Sequence, residues 1–473
     1  MTKKLLKRVA KKRWEFLKQD TDGILHVQGV SVKDIAKKYG TPLYIMDEEK
    51  IRQRVRNFVT SFTYPNLRVQ YACKVNSNLE ILRIMREEGL ELDASSVGEI
   101  ILGLLADFRP DQITFTNLYK TEQDIYFAAR IGVQAITADS LEELDKIISV
   151  GNRIKQTIKV FLRFNPLIEL GKYSTKNQQY GITADEAKKA ISKAVKSEYV
   201  ELVGLHFHGS YIFNPQVYKI AAKFLQKLAK YAKEKGAQIK YIDLGGGFPS
   251  EEMKGYFDTQ DMGKDLSNYI VNLFTKSNMP LPILIFEPGK SLVMNSGMGL
   301  MEVISKKWHQ RKTTLITNGS TYGFVPDIMA YKENKDILPA TKMNKRRNER
   351  VRITGCTCDE IDVIDKNTWM PKMESGDILM IMDIGAYNQV IASNFNNLRR
   401  ASMILVKEDG TTKLIRRRDR YSEMFAPELD VLKVADPKEL AELYKIFRVN
   451  LDKVWRGNTN GKENGKKGKK HKS

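Results

Sequence analysis

From about residue 67 the chain repeats one pattern: a short apolar or β-branched run, then apolar residues at helical spacing, then another run. The runs lie near 67–73, 91–95, 113–117, 133–138, 158–164, 202–208, 240–244 and 282–287. Between them, Leu79 to Met85 has helical spacing. The longer stretch 214–235 places Val217, Ile220, Ala221, Phe224, Leu225 and Leu228 on one face. Strands that alternate with helices predict a parallel sheet, and eight such units predict a closed (β/α)8 TIM barrel over 46–312. Residues 313–440 read differently, as short strands with turn signals such as Gly376 to Met382. This predicts a second, β-rich domain of sandwich or barrel type, to which 22–45 contributes from the other end of the chain. Residues 1–21 read as a basic amphipathic helix.

Composition narrows the class. The 473 residues suffice for two or three domains, and 42% are hydrophobic, enough for a sizeable core. No apolar run has the length of a membrane span or of a signal peptide. Cys73, Cys356 and Cys358 are too few for a disulfide framework and lack zinc-site spacing, which predicts a reduced, cytoplasmic setting. The net charge of +21 sits mainly at the ends: residues 1–18 and 453–473 each carry eight Lys/Arg against one acid. That leaves +7 for the body, so solvated termini are the expectation and a specific nucleic-acid surface is not. A weak, salt-sensitive attraction to RNA or anionic membrane is the alternative. The Gly/Asn/Lys-rich segment 453–473 cannot build a core and is expected to be disordered.

Barrel chemistry sits at the C-terminal ends of the strands. There the sequence places Lys74, then Asp93, Ser95 and Ser96, then Asn117, Arg163 and Asn165. His206 and His208 follow, then Asp243 with Gly245, Gly246 and Gly247, and finally Glu287. A lysine and a carboxylate at one rim can hold an aromatic aldehyde cofactor: the amine bonds the aldehyde carbon and the acid keeps the ring nitrogen protonated. The glycines can cradle a phosphate, or simply make a tight turn. His206 and His208 alternate in a strand, so one can lie over a ring; His206 also reads as a core histidine. A metal pair lacks a third ligand at suitable spacing. Burial of Lys74 would lower its pKa and free the amine.

These residues resemble the fold-type III pyridoxal-phosphate decarboxylases, a group that includes diaminopimelate, ornithine, arginine and carboxynorspermidine decarboxylases. Tyr71-Ala72-Cys73-Lys74-Val75-Asn76-Ser77-Asn78 is similar to the family's segment around its cofactor lysine. Gly204-Leu205-His206-Phe207-His208-Gly209-Ser210 resembles the segment whose second histidine stacks on the pyridine ring. Asp243 to Pro249 and Glu287-Pro288-Gly289-Lys290-Ser291 resemble the phosphate loop and the pyridinium-binding turn. Cys358-Asp359-Glu360-Ile361-Asp362 resembles a motif that enters the neighbouring subunit's active site, and Asp383 to Tyr387 a segment near the phosphate.

The resemblance implies pyridoxal 5'-phosphate as cofactor and a homodimer with shared active sites. It implies Lys74 and Cys358 as catalytic residues, Cys358 as proton donor from the partner chain. Lys74, His208, Ser210, Gly245, Gly246, Gly247, Glu287, Gly289 and Tyr387 would bind the cofactor, and Lys290, Tyr331, Asp359 and Tyr387 the amino-acid substrate. No metal is implied. Glu287, where alanine racemases have arginine, points to decarboxylation. The leading substrate is meso-diaminopimelate, giving L-lysine. Alternatives are ornithine or lysine of either hand, arginine or a carboxylated polyamine, or a non-catalytic relative. Four departures bear on the substrate: Lys290 and Val325 stand where diaminopimelate enzymes have arginine, Asp359 stands for glutamate, and the histidine segment is one residue shorter.

Overall fold

The computed structural model describes residues 14–309, 312–332 and 334–435, together with 438, 442 and 445. The chain divides into two compact units, 1–418 and 419–473. In the second unit the described helices are Tyr421–Met424 and Ala426–Ala435.

The centre of the first unit is a closed parallel barrel. The strands are β1 (Leu67–Ala72), β2 (Glu91–Ala94), β3 (Ile113–Thr116), β4 (Ala135–Ala138), β5 (Ile158–Asn165), β6 (Val200–His206), β7 (Tyr241–Asp243) and β8 (Ile283–Phe286). Each pairs in parallel with the next, and β8 returns to β1. Every residue of β3 and β4 is buried, as expected for strands covered on both faces. The helices begin at the rim under side-chain caps: Asn78, Ser96, Thr121 and Ser140 each accept a backbone N–H of the helix that follows. Such caps stabilise by about 1 kcal/mol each and fix where each loop ends. The predicted helix at 214–235 is Gln216–Glu234, with Val217, Ala221, Leu225 and Leu228 buried. Ile220 is 40% exposed, so it lies at the edge of that face and not within it.

The second domain is one mixed sheet built from both flanks of the barrel. Leu43–Asp47, wholly buried, lies between Gly297–His309 (antiparallel) and Ser402–Val406 (parallel). The long strand 297–309 also pairs with Ile378–Met382 through its first half and with Lys312–Thr317 through its second. A register shift between Val303 and Ser305 marks the change. Residues 297–309, which the sequence reading gave to the barrel, therefore belong to this sheet. The barrel is already complete at the short helix Lys290–Val293.

The N-terminal helix expected over 1–21 does not extend through its described part. Leu17–Gln19 is a strand paired with Leu25–Val27. Alternation buries Leu17 and exposes Lys18, while Trp14 joins Leu25, Val27, Leu43 and Met298 in one apolar cluster. Residues 1–13 and the tail at 453–473 lie outside the described residues. Among the described residues no helix is long and apolar enough to cross a membrane.

Candidate active site

β1 ends in a single 3-10 turn, Cys73–Val75, that projects Lys74 from the barrel's C-terminal rim. Glu287 directly follows β8, the strand hydrogen-bonded to β1. Both side chains line one cavity of about 300 Å³. A second cavity of about 290 Å³ shares Lys74, Tyr180, His208 and Glu287 with the first. The amine and the acid thus share one rim.

Charge in the site is tightly organised. Lys74 Nζ donates to Asp93 Oδ2 at 3.2 Å, and Asp93 is completely buried at the end of β2. Burial alone would lower the Lys74 ammonium, but Asp93 and Glu287 together hold it above the ordinary lysine range. This reverses the expectation of a free amine. Desolvation acts here against two carboxylates, Asp93 and Glu287, that lie far from Lys74 in sequence and that the barrel brings beside it. Burial and the charge of Glu287 push Asp93 up to about 6.

Glu287 is 3% exposed. Burial favours its neutral form, yet His206 and Lys74 outweigh that and hold it below the ordinary glutamate range. His206 Nε2 lies 3.6 Å from Glu287 Oε2. Asp243, in register with His206, is raised well above the carboxylate range by burial and then by Glu287. Of this pair, Asp243 is thus the member pushed toward its neutral form and Glu287 the member held toward its ionised form. The third ligand that spacing did not supply for the histidines exists in space, since donor atoms of His206, Asp243 and Glu287 lie within 4.8 Å of one another. His206 is buried, as a core residue would be, and it faces Glu287.

His208 has a defined protonation state. Gly246 N–H donates to its Nδ1 at 3.0 Å, so Nδ1 carries no proton and the ring is neutral. Burial, with Lys74 and Arg163 nearby, pushes its pKa well below the ordinary histidine value. Gly245 N–H is engaged by Asp243 Oδ1 at 2.8 Å. Gly245 and Gly246 therefore direct their N–H groups to Asp243 and His208, and Gly247 is the loop glycine that lines the cavity. Only glycine fits there: φ is +91°, and a Cβ would lie 2.1 Å from the Ser210 carbonyl oxygen.

Ser210, Gly289, Lys290, Tyr331 and Tyr387 line the same cavity. Ser210 and Tyr387 both have left-handed backbones, with φ of +62° and +55°. Tyr387 N–H donates to Val75 O at 2.9 Å, which ties it to the lysine turn, and its ring lies 5.7 Å from that of Tyr331. Lys290 is 7% exposed, with Nζ 3.8 Å from Glu252 Oε1.

Cys358 and Asp359 are not among the residues lining either cavity. They occupy an exposed turn of the second domain, between Glu349–Thr354 and Val363–Met370. Asp362 fixes that turn by accepting from Thr321 and Thr357. Asn396 donates to Cys358 Sγ at 3.4 Å. The Tyr322 hydroxyl donates to Asp359 and lowers its pKa.

Two features were not legible as site residues. Asp93 was seen as a strand end, but its pairing with Lys74 depends on β1 lying beside β2. Tyr180 sits in a polar loop without periodicity, yet its ring is 4.5 Å from the Arg163 guanidinium and lines both cavities.

Residues 48–294 match the family model for the pyridoxal binding domain of pyridoxal-dependent decarboxylases. The chain is 31% identical to a diaminopimelate decarboxylase of Methanocaldococcus jannaschii over 438 residues, 88% of this chain and 98% of that one. It is 30% identical to the Staphylococcus aureus diaminopimelate decarboxylase over 419 residues, 85% of this chain and 97% of that one. The crystal structure of the M. jannaschii diaminopimelate decarboxylase in complex with L-lysine superposes with a TM-score of 0.79 at 28% identity, covering 87% of this chain and 97% of that chain. A domain match over the whole barrel, joined to near full-length relatives, establishes that this chain belongs to the pyridoxal-dependent decarboxylases.

Proposed function

We propose that the protein decarboxylates meso-diaminopimelate to L-lysine, with pyridoxal phosphate held at the barrel rim. Lys74 and ionised Glu287 lining one cavity carry the cofactor part of this reading, and the diaminopimelate decarboxylases at about 30% identity over most of the chain support the substrate. The residues present fit the cofactor. Glu287 Oε1 is buried without a hydrogen-bond partner, an acceptor suited to a protonated ring nitrogen. Lys74 would hold the aldehyde carbon, neutral His208 would lie against the ring, and Ser210, Gly247 and Tyr387 would meet the phosphate.

Bound pyridoxal phosphate supplies an electron sink for the pair left on the α-carbon when CO2 departs. Glu287 serves that chemistry by keeping a proton on the ring nitrogen, and a carboxylate held below its ordinary pKa does so throughout the neutral range. Asp243 and His206 are buried beside Glu287 and exclude water from its carboxylate. Neutral His208 adds no positive charge that would compete for Glu287. Lys74, an ammonium beside Asp93 before loading, must lose a proton to bond the cofactor.

The active form is a homodimer in this proposal. A proton must return to the α-carbon, and Cys358 is an exposed thiol that lines neither of the two cavities containing Lys74. A second copy would bring Cys358 and Asp359 to the rim near Tyr331. A second reading concerns the substrate. Val325 is fully buried and apolar where the family's diaminopimelate enzymes have arginine, so it offers a distal carboxylate no clamp, and an amino acid such as lysine or ornithine is the alternative substrate. CO2 release measured in parallel from meso-diaminopimelate and both enantiomers of lysine, ornithine and arginine tests both readings. The expected result is the highest kcat/KM for meso-diaminopimelate. A higher value for any of the others replaces the first reading with the second, and no CO2 from any of them refutes both.

A further inference from the structure

The segment between β5 and the short strand Ile182–Thr183 is fastened at both ends. Near its start, Asn165 Nδ2 donates to Thr175 O at 2.8 Å and Ile168 N–H to Thr175 Oγ1 at 2.8 Å. Near its end, Gly181 N–H donates to Asp139 Oδ2 at 3.0 Å, and Asp139 is paired with Arg163. Between these anchors two side chains reach the same acceptor. The Tyr173 hydroxyl is 2.7 Å, and Gln178 Nε2 3.2 Å, from the Gly209 carbonyl oxygen. The approach is so close that a Cβ on Gly209 would lie 2.1 Å from the tyrosine oxygen.

Gly209 separates His208 from Ser210, and both of those line the cavity. A trans peptide is planar, so the Gly209 carbonyl and the Ser210 N–H point in opposite directions. Two donors holding the carbonyl therefore aim the Ser210 N–H away from Tyr173. Among the described residues that N–H has no hydrogen-bond acceptor. Ser210 is also left-handed, with φ at +62°, a conformation a serine keeps only when its surroundings enforce it.

We propose that Tyr173 and Gln178 are positioning residues that act through the Gly209 carbonyl to set the Ser210 turn against the phosphate end of the cofactor. The proposal rests on the assignment of Ser210 to the phosphate made above. If it holds, the two side chains matter for the phosphate and not for the aldehyde or the ring.

The test compares equilibrium binding of pyridoxal phosphate and of phosphate-free pyridoxal to apoenzyme, read by protein fluorescence quenching and the visible band. Proteins compared are the wild type, Tyr173→Phe, Gln178→Leu and the double variant. Tyr173→Phe removes one oxygen, and its Kd for pyridoxal phosphate is expected to rise about tenfold, with a larger rise in the double variant. The Kd for pyridoxal stays within about twofold of wild type in each. An unchanged Kd for pyridoxal phosphate in the double variant overturns the proposal, and so does an equal weakening of both ligands, which would mean general loosening. If wild-type apoenzyme binds both ligands equally, the assignment of Ser210 to the phosphate falls instead, before any variant is considered.

Discussion

Replacing Asp93 with asparagine should speed cofactor loading. Asp93 is isosteric with asparagine, wholly buried, and 3.2 Å from Lys74 Nζ. At that distance a charge pair is worth ~1 to 5 kcal/mol for effective dielectric constants of about 80 to 20. The Lys74 side chain is 38% exposed, so solvent screening places the value in the lower half of the range, at about 2 kcal/mol. That corresponds to about 1.5 pKa units on the lysine. Its direction follows from the charges: the raised pKa of wild-type Lys74 means less free amine at any given pH, so losing Asp93 gives more. Below the pKa the free-amine fraction grows tenfold per pH unit, so loading at fixed pH should quicken ~30-fold. The assay is stopped-flow growth of the visible band when apoenzyme meets pyridoxal phosphate, across pH 6 to 10, with Lys74→Ala as blank. Superimposable pH profiles for wild type and Asp93→Asn would refute the reasoning, since Asp93 would then not be setting the charge on Lys74.

Three further outcomes are expected. Gly247→Ala should abolish the visible band, because the new methyl meets the Ser210 carbonyl; a variant that still binds cofactor at wild-type affinity contradicts this. Lys335→Met should lower stability by about 3 to 5 kcal/mol in urea titrations, because it strips the cation from a fully buried pair with Asp327 at 2.7 Å; a loss under ~1 kcal/mol would show the pair to be dispensable. Mixing inactive Lys74→Ala with inactive Cys358→Ala should recover about a quarter of wild-type activity, as random exchange puts one intact shared site in half of the dimers. No recovery after confirmed exchange would place both residues in the same chain's site.

The barrel was legible because its strands are short, apolar and regularly spaced, and because rim position follows from strand order. Lys74 and Glu287 share a rim for the same reason: each ends a strand, and β8 closes onto β1. What could not be read depends on neighbours distant in sequence. The Lys74 ammonium is set by carboxylates at 93 and 287, so desolvation considered alone gave the wrong sign. The strand Leu17–Gln19 exists through its pairing with Leu25–Val27, which helical spacing in a lysine-rich segment concealed. Tyr173 and Gln178 lie in a polar loop where nothing periodic distinguishes them, and only the close approach to Gly209 does. The three glycines after β7 read as equivalent, whereas two direct their N–H groups at Asp243 and His208.

The sheet of the second domain imposes an order of assembly during translation. Leu43 and Met46 find their antiparallel neighbours at Leu300 and Gly297, and their parallel ones at Ser402 and Leu405. The whole barrel emerges from the ribosome between the first strand and either partner. At synthesis rates of about 5 to 20 residues per second, that buried strand waits roughly 10 to 50 s with bare edges. Over this interval an early-formed barrel leaves an apolar, unpaired strand at its entrance. Nascent chains stalled just short of residue 297 should therefore engage holdase chaperones, and release should come as the long strand arrives.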